Sequence, residues 1–355
     1  MKRLVLTNSE MSTHRACPAR WGFGYAEGLE PEEQPRAITI GTLAHAALAA
    51  AWSLAAECTP HDPKRARMPD GLGAIGAVLD QALADGADPE VVDVARYCAV
   101  TSLERCEEEY RTHLVLAVER EFVMPISAHL AWKGTVDLVT QTPDFEAIVW
   151  DHKTTSFTPD VWEHRLPLDT QHIGYTEAVR RGCFGVGLRG GLFRWSVVRS
   201  KPPTEPHINK DGRVSAALID TTPAIYEAAL NDQEARGLSV TDAQVARLEA
   251  VRARPATDYR RFETLVTDEA RSRWLAEIRL EAARIRRALK HPEERTRRPE
   301  ACSSVTSGRC PFREVCIQPA PETRALYRRK EDGSTTQQAR LGTPTASLRI
   351  VPDDE

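Results

Sequence analysis

The chain has 355 residues, of which 41% are hydrophobic and 28% are charged, and its formal net charge is −4. This composition is typical of a soluble globular protein with a substantial core in one large domain or two. No apolar run approaches about eighteen residues and the first residues lack the apolar stretch of a signal peptide, so we expect no membrane span and a cytoplasmic location. A mildly acidic protein of this kind contacts nucleic acid only through a local basic patch.

The first half of the chain is predicted to be largely helical. An irregular N-terminal segment ends at Gly41, where an Ala/Leu-rich helical pattern begins. After a break at residues 60–69, a second helical region runs from about Leu72 to His113. We therefore expect a helical insertion over residues 46–114, ahead of a sheet.

The centre of the chain has the pattern β-β-β-α-β. Three short, β-rich segments follow Val115, then a helix over residues 169–181, then a strand or a hairpin with its turn near Gly190. Helical patterns return at about residues 223–252 and 268–290, and from residue 319 the chain is polar and aperiodic. These patterns predict a mixed α/β fold with a disordered tail over residues 319–355.

Acidic and basic side chains that suit metal-dependent chemistry lie at two neighbouring predicted strands. Asp137 alternates with apolar residues in one strand, and Asp151 and Lys153 end the next. Side chains at i and i+2 of a strand point to the same face, so Asp151 and Lys153 project together, and a neighbouring strand can bring Asp137 beside them. Carboxylates that hold one or two Mg²⁺ or Mn²⁺ ions, with a lysine that orients the nucleophile, suit phosphodiester hydrolysis. For an isolated Asp-x-Lys, two solvated side chains are the commoner interpretation.

Other side chains are candidates for the same site, and each has a purely structural alternative. His45 lies on the Ala-rich helix, where a buried histidine with one hydrogen bond is common. Gln171 and Tyr175 share one helix face and can simply pack against the sheet. Glu121, in the strand before Asp137, can add a carboxylate, but a solvated glutamate is the better interpretation. We leave Glu121 out of the predicted site.

Four short motifs occur in an order that resembles the RecB-like branch of the PD-(D/E)XK nucleases: Gly41-Thr-Leu-Ala-His45, Gly134-Thr-Val-Asp137, Asp151-His-Lys153 and Gln171-His-Ile-Gly-Tyr175. The resemblance implies a restriction-endonuclease-like mixed sheet flanked by helices, in a nuclease domain over residues 1–318. It implies that His45, Asp137 and Asp151 are ligands of Mg²⁺ or Mn²⁺ and that Lys153 is the catalytic lysine. Gln171 and Tyr175 match a motif associated with the active site and DNA.

Four of the eight cysteines are divided between the two ends of the chain. Cys17 lies near the start, and Cys302, Cys310 and Cys316 lie near the end. In a reducing compartment, thiolates gathered in this way hold either a 4Fe-4S cluster or zinc. The other cysteines have no partners at ligand spacing and are interpreted as buried thiols: Cys58, Cys98, Cys106 and Cys183.

The resemblance favours iron–sulfur. Relatives of the AddB and CRISPR-adaptation type carry one cysteine before the nuclease core and three after it, and bind a 4Fe-4S cluster. This chain has seven residues between Cys302 and Cys310 where the common form has two. We predict an iron–sulfur cluster held by residue 17 and residues 302–316 that staples the two ends of the chain together, with zinc as the alternative.

A basic segment follows the core and is the predicted DNA contact, although a solvated helix face explains it equally well. Its candidate residues are Arg284, Arg286, Arg287 and Lys290. No P-loop is present, so we expect no ATP hydrolysis.

The resulting prediction is a Mg²⁺- or Mn²⁺-dependent deoxyribonuclease, an exonuclease on single-stranded or end-containing double-stranded DNA. Its expected partners besides DNA are recombination, repair or CRISPR-adaptation proteins. The alternatives are a CRISPR-adaptation nuclease that trims spacer precursors and a non-catalytic DNA-end-binding subunit.

Overall fold

A computed structural model describes residues 3–31, 36–57, 68–185, 189–254, 257–304 and 308–329. The chain divides into two compact units. Unit one comprises Met1–Ser9 and Pro35–Arg284, and unit two comprises Glu10–Gln34 and Ile285–Glu355. Both ends of the sequence therefore contribute to unit two.

The strands of the described residues are β1 (Leu4–Thr7), β2 (Leu29–Pro31), β3 (Leu114–Ser127), β4 (Leu130–Gln141), β5 (Glu146–Thr155), β6 (Arg189–Arg199), β7 (Tyr259–Leu265), β8 (Ser303–Ser304), β9 (Gly308–Arg309) and β10 (Tyr327–Arg329). The α-helices are α1 (Asn8–Ala16), α2 (Pro18–Trp21), α3 (Arg36–Ala56), α4 (Met68–Ala84), α5 (Pro89–Glu104), α6 (Glu107–Thr112), α7 (Gln171–Arg180), α8 (Pro223–Ala235), α9 (Asp242–Arg252), α10 (Asp268–Lys290), α11 (Arg313–Ile317) and α12 (Pro321–Arg324).

Unit one is built on a mixed six-stranded sheet. β3 pairs antiparallel with β4 along the whole length of β4. On the other side of β4, β1 pairs in parallel with its first residues and β5 pairs antiparallel with its last residues. β5 pairs in parallel with β6, and β6 pairs antiparallel with β7. The predicted β-β-β-α-β order of the centre is confirmed, and the fold class is the predicted mixed α/β sheet flanked by helices.

Helices cover both faces of this sheet. On one face α3, α4 and α5 form an apolar core with sheet residues that include Leu138 and Trp150. On the other face α7 lies against an aromatic group in which Tyr175 contacts Phe122 and Trp132. α3 is long and apolar enough to span a membrane by length and composition, but its apolar side chains are part of the core of unit one.

Two strands of the six-stranded sheet and one helix break were not predicted. β1 and β7 were missed, and the predicted helix over residues 223–252 is divided into α8 and α9. The division is a local effect, because Thr241 and Gln244 form a capping box that starts α9.

Unit two joins the two ends of the chain directly. β2 and β10 pair antiparallel, with Tyr327 opposite Pro31. The guanidinium of Arg298 donates to the carbonyl of Arg15 at 2.7 Å, and Ala19 donates its backbone N–H to Thr296. The segment predicted as a tail therefore contributes a helix and a strand as far as Arg329, and its remainder from residue 330 lies outside the described residues.

The contact between α7 and β4 depends on a glycine. A Cβ atom at Gly174 would lie 2.6 and 2.7 Å from Cζ2 and Cζ3 of the fully buried Trp132. Gly174→Ala is expected to lower the free energy of unfolding by about 1–3 kcal/mol through overpacking, despite the better helix propensity of alanine. Chemical denaturation measures this change. Gly73→Ala, at an exposed position of α4 with open space around it, should leave stability equal or higher; equal effects of the two substitutions would contradict the packing argument.

Candidate active site

The predicted acidic residues lie where β4 and β5 separate. The two strands pair from Gln141 opposite Ala147 to Leu138 opposite Trp150. Asp137 and Asp151 are the next positions on each strand, so the register sets them across from each other just beyond the last pair. The backbone N–H of His152 donates to Oδ2 of Asp137 at 2.7 Å across this opening.

Asp151, Lys153 and Gln171 form one hydrogen-bonded group. Nζ of Lys153 lies 2.7 Å from Oδ2 of Asp151, as expected for side chains two residues apart on one strand. The amide of Gln171, at the first turn of α7, donates to Oδ1 of Asp151 at 3.1 Å. The same amide accepts from Lys153 at 3.5 Å. Asp151 is only 2% exposed, so its orientation is fixed by these partners.

His45, Glu119 and Asp137 form a second group beside the first. Nδ1 of His45, from α3, lies 3.4 Å from Oε1 of Glu119 and 3.5 Å from Oδ2 of Asp137. Among the described residues, only this group has three His, Cys, Asp or Glu side chains whose ligand atoms all lie within 4.8 Å of one another. The structure thus brings together His45 and Asp137, as predicted, with an additional carboxylate.

Glu119 was missed by the sequence analysis, which weighed Glu121 instead. Glu121 lies outside this group, with its carboxylate 2.7 Å from the ammonium of Lys133. Glu119 adopts a positive φ of 41°, a conformation that is rare for a residue with a Cβ atom. The only sequence signal was a second acid two residues before Glu121, and nothing in the sequence predicts the unusual backbone.

Burial and charge set the protonation of the group. Burial raises the pKa of Asp151 to about 6, although the Lys153 ammonium opposes the shift. Burial likewise raises the pKa of Asp137, although His45 opposes it. Burial lowers the pKa of His45, but the charges of Asp137 and Glu119 outweigh burial and raise it to about 9. At neutral pH, without a metal, the imidazole is therefore a cation that compensates the carboxylates.

Tyr175 lies beneath the site in the aromatic layer. It is 6% exposed, and its ring packs on Trp132 with centroids 5.5 Å apart. Gly134 makes room for it, because a Cβ atom there would lie 2.6 Å from the Tyr175 ring. The glycine of the Gly134-Thr-Val-Asp137 motif and the tyrosine of the Gln171 motif thus fit each other directly.

The four cysteines predicted to bind a cluster line one cavity in unit two. The cavity has a volume of about 200 Å³, and its lining comprises Cys17, Cys302, Cys310 and Cys316 together with Arg20, Phe23, Arg297, Pro299, Ala301, Phe312, Arg313 and Ile317. Burial raises the pKa of the Cys310 and Cys316 thiols, whereas Arg20 and Arg297 respectively lower it. Within the described part of the chain, no three of these thiols come within 4.8 Å of one another.

The remaining cysteines lie apart from this cavity. Cys98 and Cys106 are buried in unit one, and burial raises their pKa to about 12 and about 11. Cys183 is half-buried. Cys58 lies outside the described residues.

The predicted DNA-contacting side chains lie towards the C-terminal end of α10. Two of them are engaged by carboxylates: Arg284 lies 3.4 Å from Glu281, and Arg287 lies 2.5 Å from Glu294. Arg284, Arg287 and Lys290 are exposed at three-residue spacing. The full predicted set is Arg284, Arg286, Arg287 and Lys290. A phosphate group would have to compete with the two glutamates.

Comparison with known proteins assigns the family. The mixed sheet with helices on both faces defines the class as an α/β protein of restriction-endonuclease-like architecture. Residues 5–317 match the family model of the PD-(D/E)XK nuclease superfamily, and the chain belongs to this superfamily. A solved structure from Eubacterium rectale, described as a candidate exonuclease, is similar with a TM-score of 0.45 and 12% sequence identity, over 84% of this chain and 85% of that one. No curated protein matches.

The raised pKa of His45 predicts how the stability of the metal-free protein depends on pH. The pKa rises from about 6.5 in the unfolded chain to about 9 in the folded one. The stabilisation by the protonated imidazole is therefore fully present below pH ~6.5 and is lost as the pH rises towards ~9. With a chelator present, the difference in free energy of unfolding between wild type and His45→Gln should be largest near pH 6.5 and shrink by pH 9. A difference that grows with pH would contradict this assignment.

Proposed function

We propose that the chain is a metal-dependent nuclease that hydrolyses phosphodiester bonds in DNA. The observation that carries the proposal is the position of Asp137 and Asp151 across the opening between β4 and β5, with Lys153 and Gln171 bonded to Asp151. This set combines metal-binding carboxylates with a fixed cation and a fixed amide. Those are the groups that phosphodiester hydrolysis requires.

The donor set fits a divalent cation. Asp137, Asp151 and His45 would hold it, since carboxylate oxygens suit Mg²⁺ and Mn²⁺ and an imidazole nitrogen also suits Mn²⁺. When bound, such a cation supplies an activated water and stabilises negative charge on the phosphate. Buried carboxylates whose pKa is raised, as for Asp137 and Asp151, also gain most from a positive charge placed between them.

Lys153 acts as a donor in this proposal. The carboxylates of Asp151 and Asp137 outweigh burial and raise the pKa of the Lys153 ammonium. The group therefore keeps its proton near neutral pH and donates hydrogen bonds from Nζ to an attacking water or a phosphate oxygen, and does not abstract a proton. Gln171 holds Lys153 and Asp151 in register. Tyr175 supports the site from the aromatic layer.

The proposed substrate is DNA with an accessible end, single-stranded or double-stranded, cut as by an exonuclease. The exposed side chains of Arg284, Arg287 and Lys290 supply sequence-independent phosphate contacts. Recombination, repair or CRISPR-adaptation proteins are the proposed partners. The same site would serve a nuclease that trims spacer precursors, whereas a non-catalytic DNA-end-binding subunit would not need the bonded Asp151 and Lys153 pair.

Substitutions at the site test the catalytic assignment. Asp151→Asn and Lys153→Ala should each lower the rate of DNA digestion by at least about 100-fold in Mg²⁺ or Mn²⁺, because each removes a group that acts on the reacting phosphate. Release of nucleotides from end-labelled single- and double-stranded DNA is the measurement. Asp144→Asn, in the turn before β5 and away from the site, is the matched control and should keep full activity. Equal digestion by wild type and both site variants would leave only the DNA-end-binding function.

We further propose that the cysteine cavity holds a structural 4Fe-4S cluster. Four thiols around a cavity of about 200 Å³ suit a group larger than one ion. A single zinc ion with Zn–S bonds of ~2.3 Å would draw tetrahedral thiolates to ~3.8 Å from one another, whereas no three of the described thiols lie within 4.8 Å of one another. The three arginines at the cavity would compensate the negative charge of an iron–sulfur centre with four thiolates.

Metal analysis tests the cluster. Protein purified without oxygen should be brown and carry about four iron and four sulfide per chain. Cys310→Ser should lose most of this iron and lower the unfolding temperature, because the cluster joins distant parts of the sequence. Cys183→Ser, which changes a half-buried thiol outside the cavity, should retain it. Colourless protein with one zinc per chain would reject the iron–sulfur cluster without affecting the nuclease proposal.

A further inference from the structure

A second cavity lies in unit one, where the connection between β6 and β7 meets the end of α5. This connection, residues 200–258, carries α8 and α9 and has a small core of its own that includes Val214, Tyr226 and Leu230. The cavity has a volume of about 230 Å³ and is lined by residues of the connection together with Arg105, which follows α5. Its lining is distinct from the residues assigned to metal binding, catalysis and the cysteine cavity.

Two lining residues of this cavity have a buried oxygen without a hydrogen-bond partner among the described residues. Asp258 is 6% exposed, and its Oδ1 has no donor, while its Oδ2 lies 3.4 Å from the half-exposed guanidinium of Arg105. Thr221 is 8% exposed, and its Oγ1 also has no partner. Rotation about χ2, which is soft for aspartate, can turn either carboxylate oxygen towards the cavity. Because buried polar atoms are nearly always hydrogen-bonded, an occupant of the cavity is expected to supply the donor.

Apolar walls and positive charge complete the lining. Ile219, Pro223 and Val251 contribute apolar surface. Arg254, which follows α9, is exposed and has no carboxylate partner among the described residues. Thr222 and Pro223 are the N-cap and the first residue of α8, so the positive end of that helix also lies at the cavity. An occupant therefore meets an acceptor, an apolar surface and positive charge in one space.

The other acid of the lining is already compensated. Asp220 forms an ion pair with Arg199 and lies 4.0 Å from Lys201. The hydroxyl of Thr257 donates to Asp220 at 3.2 Å. Asp220 thus opposes a phosphate less than a lone carboxylate would, and Asp258 is the carboxylate with an oxygen left to accept a hydrogen bond.

We propose that this cavity binds the base of a nucleotide, the product class of the proposed nuclease. The base donates hydrogen bonds from its N–H edge to Asp258 and Thr221, and its planar faces lie against the apolar walls. The phosphate meets Arg254 and the first turn of α8. The inference rests on the proposed function and adds to it a separate binding site for a released nucleotide or for a nucleotide of the strand.

The register of the sheet places the cavity close to the catalytic end of β5. Tyr259, the residue after Asp258, pairs with Val198, and Val198 lies opposite Thr154, the residue after Lys153. Two strand spacings amount to ~10 Å. A nucleotide of a strand bound at the active site, or one just released from it, therefore has a short path to the cavity.

The two acceptors predict which bases bind best. Adenine, cytosine and guanine each carry an exocyclic amino group with two hydrogens, which is enough to reach both Asp258 and Thr221. Thymine has a single N–H and leaves one acceptor without a donor. A base with an amino group is therefore expected to bind about 5-fold more tightly than thymine, the value of one hydrogen bond.

Calorimetric titration of the full chain with deoxycytidine 5′-monophosphate tests the proposal, in a chelator that removes metal from the active site. Wild type should bind one equivalent, and thymidine 5′-monophosphate should bind more weakly. Thr221→Val keeps the shape of the side chain and should lower the affinity about 5-fold, and Asp258→Asn should lower it about 10-fold. Arg254→Ala should weaken the nucleotide about 10-fold but leave the affinity for deoxycytidine, which has no phosphate, unchanged.

Matched controls separate binding from damage to the fold. Asp232→Asn and Arg236→Ala change exposed charges of the same connection outside the cavity and should keep the wild-type affinity. Asp258→Asn also disturbs the ion pair with Arg105. If that variant folds poorly, Thr221→Val and Arg254→Ala decide the question, because neither side chain has a partner to lose among the described residues.

A short single-stranded oligonucleotide in the same titration separates the two sources of the base. If Thr221→Val weakens both ligands, the cavity also takes a base of the strand; if it weakens only the mononucleotide, the cavity takes the released product. Absence of binding in wild type, or wild-type affinity in Thr221→Val, Asp258→Asn and Arg254→Ala, would overturn the proposal even if Asp151→Asn has no nuclease activity. Full nuclease activity in Asp151→Asn would instead overturn the proposed function, whatever the titrations show.

Discussion

Three carboxylates gathered in a partly buried space require positive charge, and this requirement governs the active site. Glu119, Asp137 and Asp151 lie near one another with limited access to water. Without a metal, the protonated His45 and the ammonium of Lys153 provide the compensation. Removing one of these cations would leave carboxylates without compensation and would destabilise the folded chain. A divalent cation is a stronger compensating charge, so the same repulsion that destabilises the empty site provides affinity for metal.

The opening between β4 and β5 determines where this charge collects. While two strands are paired, their facing backbone groups satisfy each other, and beyond Leu138 and Trp150 that pairing ends. Polar side chains and the N–H of His152 fill the opening. α3 lies on one face of the sheet and α7 on the other, so His45 and Gln171 reach the opening from opposite sides. Four motifs far apart in the sequence therefore meet at one point of the sheet.

The parts of the site that were predictable are those with local rules. Spacing of two on a strand placed Asp151 with Lys153, and spacing of four on a helix placed Gln171 with Tyr175. The choice between Glu119 and Glu121 was not local, because it depends on a backbone conformation and on a helix more than 60 residues earlier in the chain. The catalytic roles of the predicted site residues stay predictions until the substitutions are made.

The difference between local sequence rules and contacts between distant residues also explains why strand β7 was missed. Its sequence is rich in charged residues, which argues against a strand next to a core. In the folded chain Arg261 is paired with Glu109 of α6, and Glu263 is paired with Arg194 of β6. These partners are distant in sequence, so the compensation that makes a charged strand acceptable cannot be read from a local pattern.

The cysteine cavity is a separate constraint on the fold, because its thiols come from segments near both ends of the sequence and these segments must meet. The entropy cost of closing a loop grows slowly with the length of the loop, so a cross-link between these distant segments would stabilise the fold slightly more than one that closes a shorter loop. Strand pairing between β2 and β10 and the bond from Arg298 to Arg15 already bring these ends together. A cluster bound there would strengthen contacts that unit two makes without it. Every side chain proposed for catalysis and for binding Mg²⁺ or Mn²⁺ belongs to unit one. Loss of the cluster should therefore act first on the stability of unit two, and the metal-binding side chains of unit one keep their own supporting core.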